Sequence, residues 1–221
     1  MTMKPDYETA AVRALETLIG HHITYAPIDP LPILNATPGV LTFSYAEISD
    51  TIGLDRSCIL SGMNPEGRAA STAVEQHNGH LHYIVAYNQR LPTYATHRAL
   101  ARELGHIVLG HDGTRPEEVR NEEATAFARH LLFPRPLIKA MTDAGIHVTT
   151  ELLGNVTGCY ERCQECIRKS PGIHVPKDLN RTVRELFADY VENLLSVQSV
   201  IAPKDHSVPA DFGTYMDGYE E

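Results

Sequence analysis

Between Asp6 and Ile19 the apolar residues Ala11, Leu15, Leu18 and Ile19 recur at helical spacing, which predicts an amphipathic first helix ended by Gly20. From Ile23 to Asn35, Pro27, Pro30 and Pro32 favour an extended segment with at most a short helix opening near Leu31. A short strand is expected at Val40 to Ser44, a short helix at Tyr45 to Ile52, and a loop around Asn64-Pro65. The β-rich runs Ser71 to Gln76 and Leu81 to Tyr87 flank His77-Asn78-Gly79-His80, and Asn-Gly between such runs is a strong hairpin signal. The second strand leads through Leu91-Pro92 into a helix whose core stripe reads as Leu100, Leu104 and Ile107, with Gly110 as its stop.

The next helix, Glu117 to Leu132, is expected to bury Ala124, Phe127, Ala128 and Leu131, and Pro134 and Pro136 punctuate its end. Further helical stretches follow at Pro136 to Ala144, Thr150 to Val156, Cys159 to Lys169 and Asp178 to Leu195, the last carrying Val183, Leu186, Phe187, Tyr190 and Leu194 on one face. Beyond Ser199 the periodicity stops, and the acidic stretch from Lys204 to Glu221 is expected to be disordered. These elements predict an α+β fold with a small antiparallel sheet packed on helices. The expected division is a core over 1–135, a C-terminal helical subdomain over 136–198 and a tail over 199–221.

Charge narrows the partners. The formal net charge of -9 argues against general electrostatic binding to nucleic acid or an acidic membrane, because such affinity comes from basic surface. The N-terminus shows no charged-then-apolar leader, and no apolar run approaches the ~18 residues a membrane span needs, so a cytoplasmic protein is expected. The four cysteines do not form a secreted disulfide pattern, which fits a reducing compartment.

Residues 102–106 read Arg-Glu-Leu-Gly-His, the zinc-peptidase motif His-Glu-x-x-His with its first histidine replaced by arginine. The intact motif sets two imidazoles one helical turn apart to hold zinc, while the glutamate acts as general base for metal-bound water. Glu103 and His106 keep the catalytic-base and ligand posts. Arg102 cannot take the remaining one, because guanidinium stays protonated and has no lone pair for a metal. It lies about 200° around the helix from Leu104, so the motif face looks away from the core into a cleft.

The whole stretch from His97 to Ile138, HRALARELGHIVLGHDG then TRPEEVRNEEATAFARHLLFPRPLI, closely resembles the ImmA/IrrE family of gluzincin-like metallopeptidases. That family follows a His-Glu-x-x-His helix ending in Leu-Gly-His with a helix reading Glu-x-x-Ala-Asn-x-Phe-Ala and closing in Leu-Leu-x-Pro. The resemblance implies a zincin-like core. It also implies that the third zinc ligand falls at Asn121, three positions before Ala124, and that Thr125 stands where the family usually has Asn or Asp. An amide is a poor zinc ligand, so by this alignment His106 alone survives of three.

Substitute ligands for zinc would have to come from Glu122, Glu123 or His111; His97 and His130 are also near in sequence. Of these, Glu122 lies about 100° around its helix from Asn121 and Glu123 about 160°. Arg102 offers another arrangement, an ion pair with Glu122 or Glu123 that bridges the two helices where the family holds zinc. Cys159, Cys163 and Cys166, at i, i+4 and i+7, read either as a core stripe or as a metal or redox cluster with His174 as a fourth ligand. Their spacing also resembles the iron–sulfur motif of radical enzymes, but the chain lacks the length of that barrel.

Active family members cleave repressors and relieve transcriptional repression, so the resemblance implies a regulatory protein of phage or mobile-element type. With a degenerate zinc motif, the leading expectation is a pseudopeptidase that binds a helix-turn-helix repressor through its former substrate cleft. One alternative is an active zinc endopeptidase using Glu103 and substitute ligands. Another is a cysteine-based metal or redox sensor.

Overall fold

The structure is a computed structural model that describes residues 3–52, 69–77, 80–158 and 173–198. The expected Cys159–Lys169 helix, the three clustered cysteines and the tail from residue 199 lie outside the described residues. The chain divides into two compact units, one formed by Met1–Ile28 with Arg129–Glu221 and the other by Asp29–Ala128.

The first unit opens with α1 (Tyr7–Gly20). Asp6 caps it by accepting from the Thr9 backbone N–H at 2.9 Å, which satisfies one of the orphan donors of the first turn. Ala10, Ala11, Ala14, Leu15 and Leu18 form its buried stripe. The same unit contains α6 (Arg135–Asp143), α7 (Thr150–Thr157), α8 (Lys177–Leu186) and α9 (Ala188–Gln198), with α8 packed against α1 and α6. The sequence predicted one continuous helix over the last two. It breaks at Phe187, whose side chain is fully buried and meets the Tyr190 ring edge-on at 6.4 Å. Apolar spacing alone cannot reveal this break, because Val183, Phe187 and Val191 keep a single buried face through it.

The second unit holds α2 (Pro30–Ala36), β1 (Val40–Ser44), α3 (Tyr45–Ile52), β2 (Ala70–His77), β3 (His80–Tyr87), α4 (Thr93–Val108) and the greater part of α5 (Glu117–Leu132). The fold class is α+β, as the element pattern predicts. The sheet runs in the order β1-β3-β2, and β2 and β3 form the expected antiparallel hairpin. β1 differs from the expectation: it pairs with β3 in parallel, so the sheet is mixed. The chain leaves β1 through α3 and reaches β3 only by way of β2, and so long an excursion permits parallel pairing.

α4 packs against β2 and β3 and lies beside α5. Its core side is Leu100, Ala101, Leu104 and Gly105, all buried. Ile107, expected in that stripe, is only half-buried and belongs to the opposite, cleft-facing side. Gly105 sits where α4 and α5 approach most closely: a Cβ there would lie 3.1 Å from the Phe127 ring and 3.2 Å from both Cα and O of Ala124. Gly110, with φ +64°, turns the chain out of α4 in the left-handed conformation that glycine adopts freely.

Candidate functional site

Ala99, Arg102, Glu103, His106 and Ile107 follow one another at i, i+3, i+4, i+7 and i+8, so helix geometry gathers them on one face of α4. That face lines a cleft of about 530 Å³ within the second unit. Glu117, Arg120 and Asn121 line it from α5 at the matching i, i+3, i+4 spacing. The sheet contributes Thr72 and Val74 of β2, which share a face by alternation, with Tyr83 of β3 paired opposite Val74.

Within the cleft, the Arg102 guanidinium donates from Nη2 to Oδ1 of Asn121 at 3.3 Å. This joins the two positions that depart from the zinc-ligand pattern, one on α4 and one on α5. Arg102 therefore bridges the helices as expected, but through Asn121 and not through Glu122 or Glu123. Glu122 points to solvent and does not line the cleft, because one residue of helix turns it about 100° from Asn121. Glu103 accepts a hydrogen bond from the Thr72 hydroxyl at 2.6 Å, which ties the base position of α4 to strand β2.

His106, His111 and Glu123 form a chain. Nδ1 of His106 lies 2.8 Å from Nδ1 of His111, and Nε2 of His111 lies 3.0 Å from Oε2 of Glu123. The same Glu123 oxygen is held by Nη1 of Arg115 at 2.9 Å. The His111 and Glu123 side chains are only 1% and 2% exposed. Burial, followed by the charges of His111, Arg102 and Arg120, pushes the His106 imidazole down to about 4. Burial also lowers His111, against the opposing pull of Glu123.

Both rings are thus neutral at ordinary pH, and the tautomers follow. A carboxylate held by arginine only accepts, so His111 donates to it from Nε2. The bare Nδ1 of His111 then accepts from Nδ1–H of His106, which leaves Nε2 of His106 as the nitrogen with a lone pair.

The other histidines near the motif stand elsewhere. Nε2 of His97 lies 3.5 Å from Asp29 Oδ1. His130 is buried in the other unit and is pushed down to about 3 by burial, then by the charges of Arg135 and Arg129.

Residues 62–159 match the family model described as the IrrE N-terminal-like domain, a peptidase M78 family. This segment belongs to the ImmA/IrrE family. It has the metallopeptidase fold, and the family is generally zinc-dependent. No curated protein and no solved structure matches the chain. No helix among the described residues is long and apolar enough to cross a membrane.

The described donors around His106 do not fit zinc. Among the described residues no group of three or more His, Cys, Asp or Glu side chains converges as a metal-ion site. The substitutes expected from sequence fail for identifiable reasons: Glu122 faces solvent, and His111 and Glu123 stand in series behind His106. Because His111 meets His106 with one ring nitrogen and Glu123 with the other, Glu123 lies across that ring from His106, and one ion cannot collect all three.

Sequence reasoning missed three contributors: Thr72, Arg115 and Arg120. Arg120 was within reach, because Glu117, Arg120 and Asn121 are a polar i, i+3, i+4 set on a helix already identified. Thr72 and Arg115 depend on which elements meet in space, and one sequence carries no signal for that.

Proposed function

We propose that this ImmA/IrrE-like protein is a pseudopeptidase that acts in regulation, using the cleft beside α4 to bind a repressor-type protein partner without cutting it. The observation that supports this reading is the Arg102–Asn121 hydrogen bond. It puts a permanent cation and an amide where the family pattern has an imidazole and a carboxylate. A cation at that point repels a metal ion, and Glu103 has no metal-bound water to activate.

The cleft keeps features suited to an extended protein segment. Among the described residues β2 is an edge strand of the sheet, and Thr72 and Val74 reach the cleft from it. An edge strand offers unpaired backbone donors and acceptors to a partner strand. A helix-turn-helix repressor is the partner proposed, as a regulatory role in this family implies.

Zinc titration and Glu103→Gln test the reading together. Isothermal titration of the wild-type chain should show no stoichiometric zinc binding. In a repression reporter, Glu103→Gln should act as the wild type does, because it removes a base but keeps size and hydrogen-bonding capacity. One tightly bound zinc, or loss of regulation by Glu103→Gln with partner affinity unchanged, would replace the binding reading with a hydrolytic one.

A further inference from the structure

We propose that Arg102 and Arg120 make the cleft an oxyanion site, which takes a carboxylate or phosphate group where a metallopeptidase holds its metal. The inference rests on the reading that the cleft binds and does not cleave. Both guanidiniums line the cleft, one from α4 and one from α5. Arg102 spends one donor on the neutral amide of Asn121, and its Nε is buried with no protein acceptor. Arg120 donates from Nε to the Arg115 carbonyl at 3.1 Å, which fixes the stem of its fork and leaves the terminal nitrogens.

Glu103 and Glu117 line the same cleft, yet among the described residues neither forms an ion pair with Arg102 or Arg120. Glu103 instead accepts from Thr72. Two arginines facing one cleft without a carboxylate partner among the described residues are unusual in a chain of net charge -9, where acceptors are plentiful. The planar fork of guanidinium matches a carboxylate or phosphate with paired N–H donors. A carboxylate would come from an acidic side chain or chain terminus of a partner, and a phosphate from a modified one or from a small metabolite.

The test is an NMR titration of the full chain at constant ionic strength, following the arginine side-chain N–H signals with succinate and with inorganic phosphate as probes. Saturable shifts at Arg102 and Arg120 are expected with either probe, and the tighter probe identifies the source. Arg120→Gln should weaken binding roughly tenfold or more, Arg102→Lys less because it keeps charge but loses the fork, and the exposed Arg181→Gln not at all. Linear shifts without saturation, or an Arg120→Gln response equal to the wild type, would overturn the proposal. Zinc added to the same samples separates the two readings: absence of both zinc and anion binding overturns this inference alone, whereas tight zinc binding overturns the binding-cleft reading as well.

Discussion

Gly105→Ala puts one methyl group at the tightest approach of α4 to α5, and its effect can be worked from the distances. In an isolated helix the change would help by roughly 0.8–1 kcal/mol, because glycine loses more backbone freedom than alanine. In this protein the new Cβ would lie 3.1 Å from the Phe127 ring and 3.2 Å from Cα and O of Ala124. Two of these three atoms are α5 backbone, which cannot swing aside as a side chain can. The helices must therefore move apart by a few tenths of an ångström, and overpacking of this kind costs about 1–3 kcal/mol. Taking the middle of that cost, about 2 kcal/mol, less the propensity gain of about 1 kcal/mol, the net expectation is a loss of about 1 kcal/mol, or a fall in Tm of roughly 2–4 °C for a chain of this size.

Gly20→Ala is the control. Gly20 is the last residue of α1, and a Cβ there meets nothing within 4 Å, so the same substitution should be neutral or slightly stabilising. Thermal and urea unfolding of the two variants beside the wild type measure the difference. Because the α4–α5 spacing also sets the Arg102–Asn121 contact, Gly105→Ala should loosen that contact, read as a change in the Arg102 side-chain NMR signal. A Gly105→Ala protein as stable as the wild type would refute the packing argument, since propensity alone would then be deciding the outcome.

Three further outcomes are expected. Arg102→His with Asn121→Glu should create zinc binding in isothermal titration that neither single change provides, since each single leaves at most two good ligands. Its affinity should fall short of a natural site by roughly one or two orders of magnitude, because Thr125 spends its hydroxyl on the Asn121 carbonyl at 2.7 Å and cannot orient an imidazole. Acid should destabilise the chain: His130 and His106, pushed down to about 3 and about 4, take up protons more readily when unfolded. Stability is therefore full above pH ~6.5 and declines as pH falls towards those values, with His130 contributing about 2–3 kcal/mol of loss by pH ~4.5 in denaturant titrations. Arg115→Ala should raise the His111 pKa seen by NMR, because a cation that opposes its protonation is gone, and should destabilise the chain by about 1–3 kcal/mol by leaving Glu123, 2% exposed, with less compensation.

Much of the second unit could be read from the sequence because its signals are local. The hairpin is written in Asn78-Gly79 between alternating runs, and the two sides of α4 in the spacing of Leu100 and Leu104 against Arg102, Glu103 and His106. The Arg102–Asn121 contact is consistent with the family alignment that selected Asn121 for the third ligand post. What the sequence could not carry was distance between elements. Rotation about α5 favours Glu122 over Glu123 as a replacement carboxylate, but the loop after Gly110 brings His111 back against Glu123 and buries both. Likewise, the same buried face continues through Phe187, so periodicity joined two helices that the backbone separates.

The two altered ligand positions make better sense as a pair than singly. Histidine at 102 with Asn121 would put an imidazole beside an amide, two neutral groups with only a weak hold across the helices. Arg102 beside a glutamate at 121 would form an ion pair, which satisfies the guanidinium but leaves it no charge to offer a ligand. The combination present, guanidinium donating to amide, keeps α4 and α5 linked, and among the described residues no ion pair compensates the positive charge. Behind it the Arg115–Glu123–His111–His106 chain orients His106, which burial above all keeps neutral, with its lone pair on Nε2. The cleft thus retains an oriented acceptor and gains a fixed cation on a single wall. Such a surface suits recognition of a group carrying both a donor and a negative charge, and among the described residues no donor set converges as a metal site.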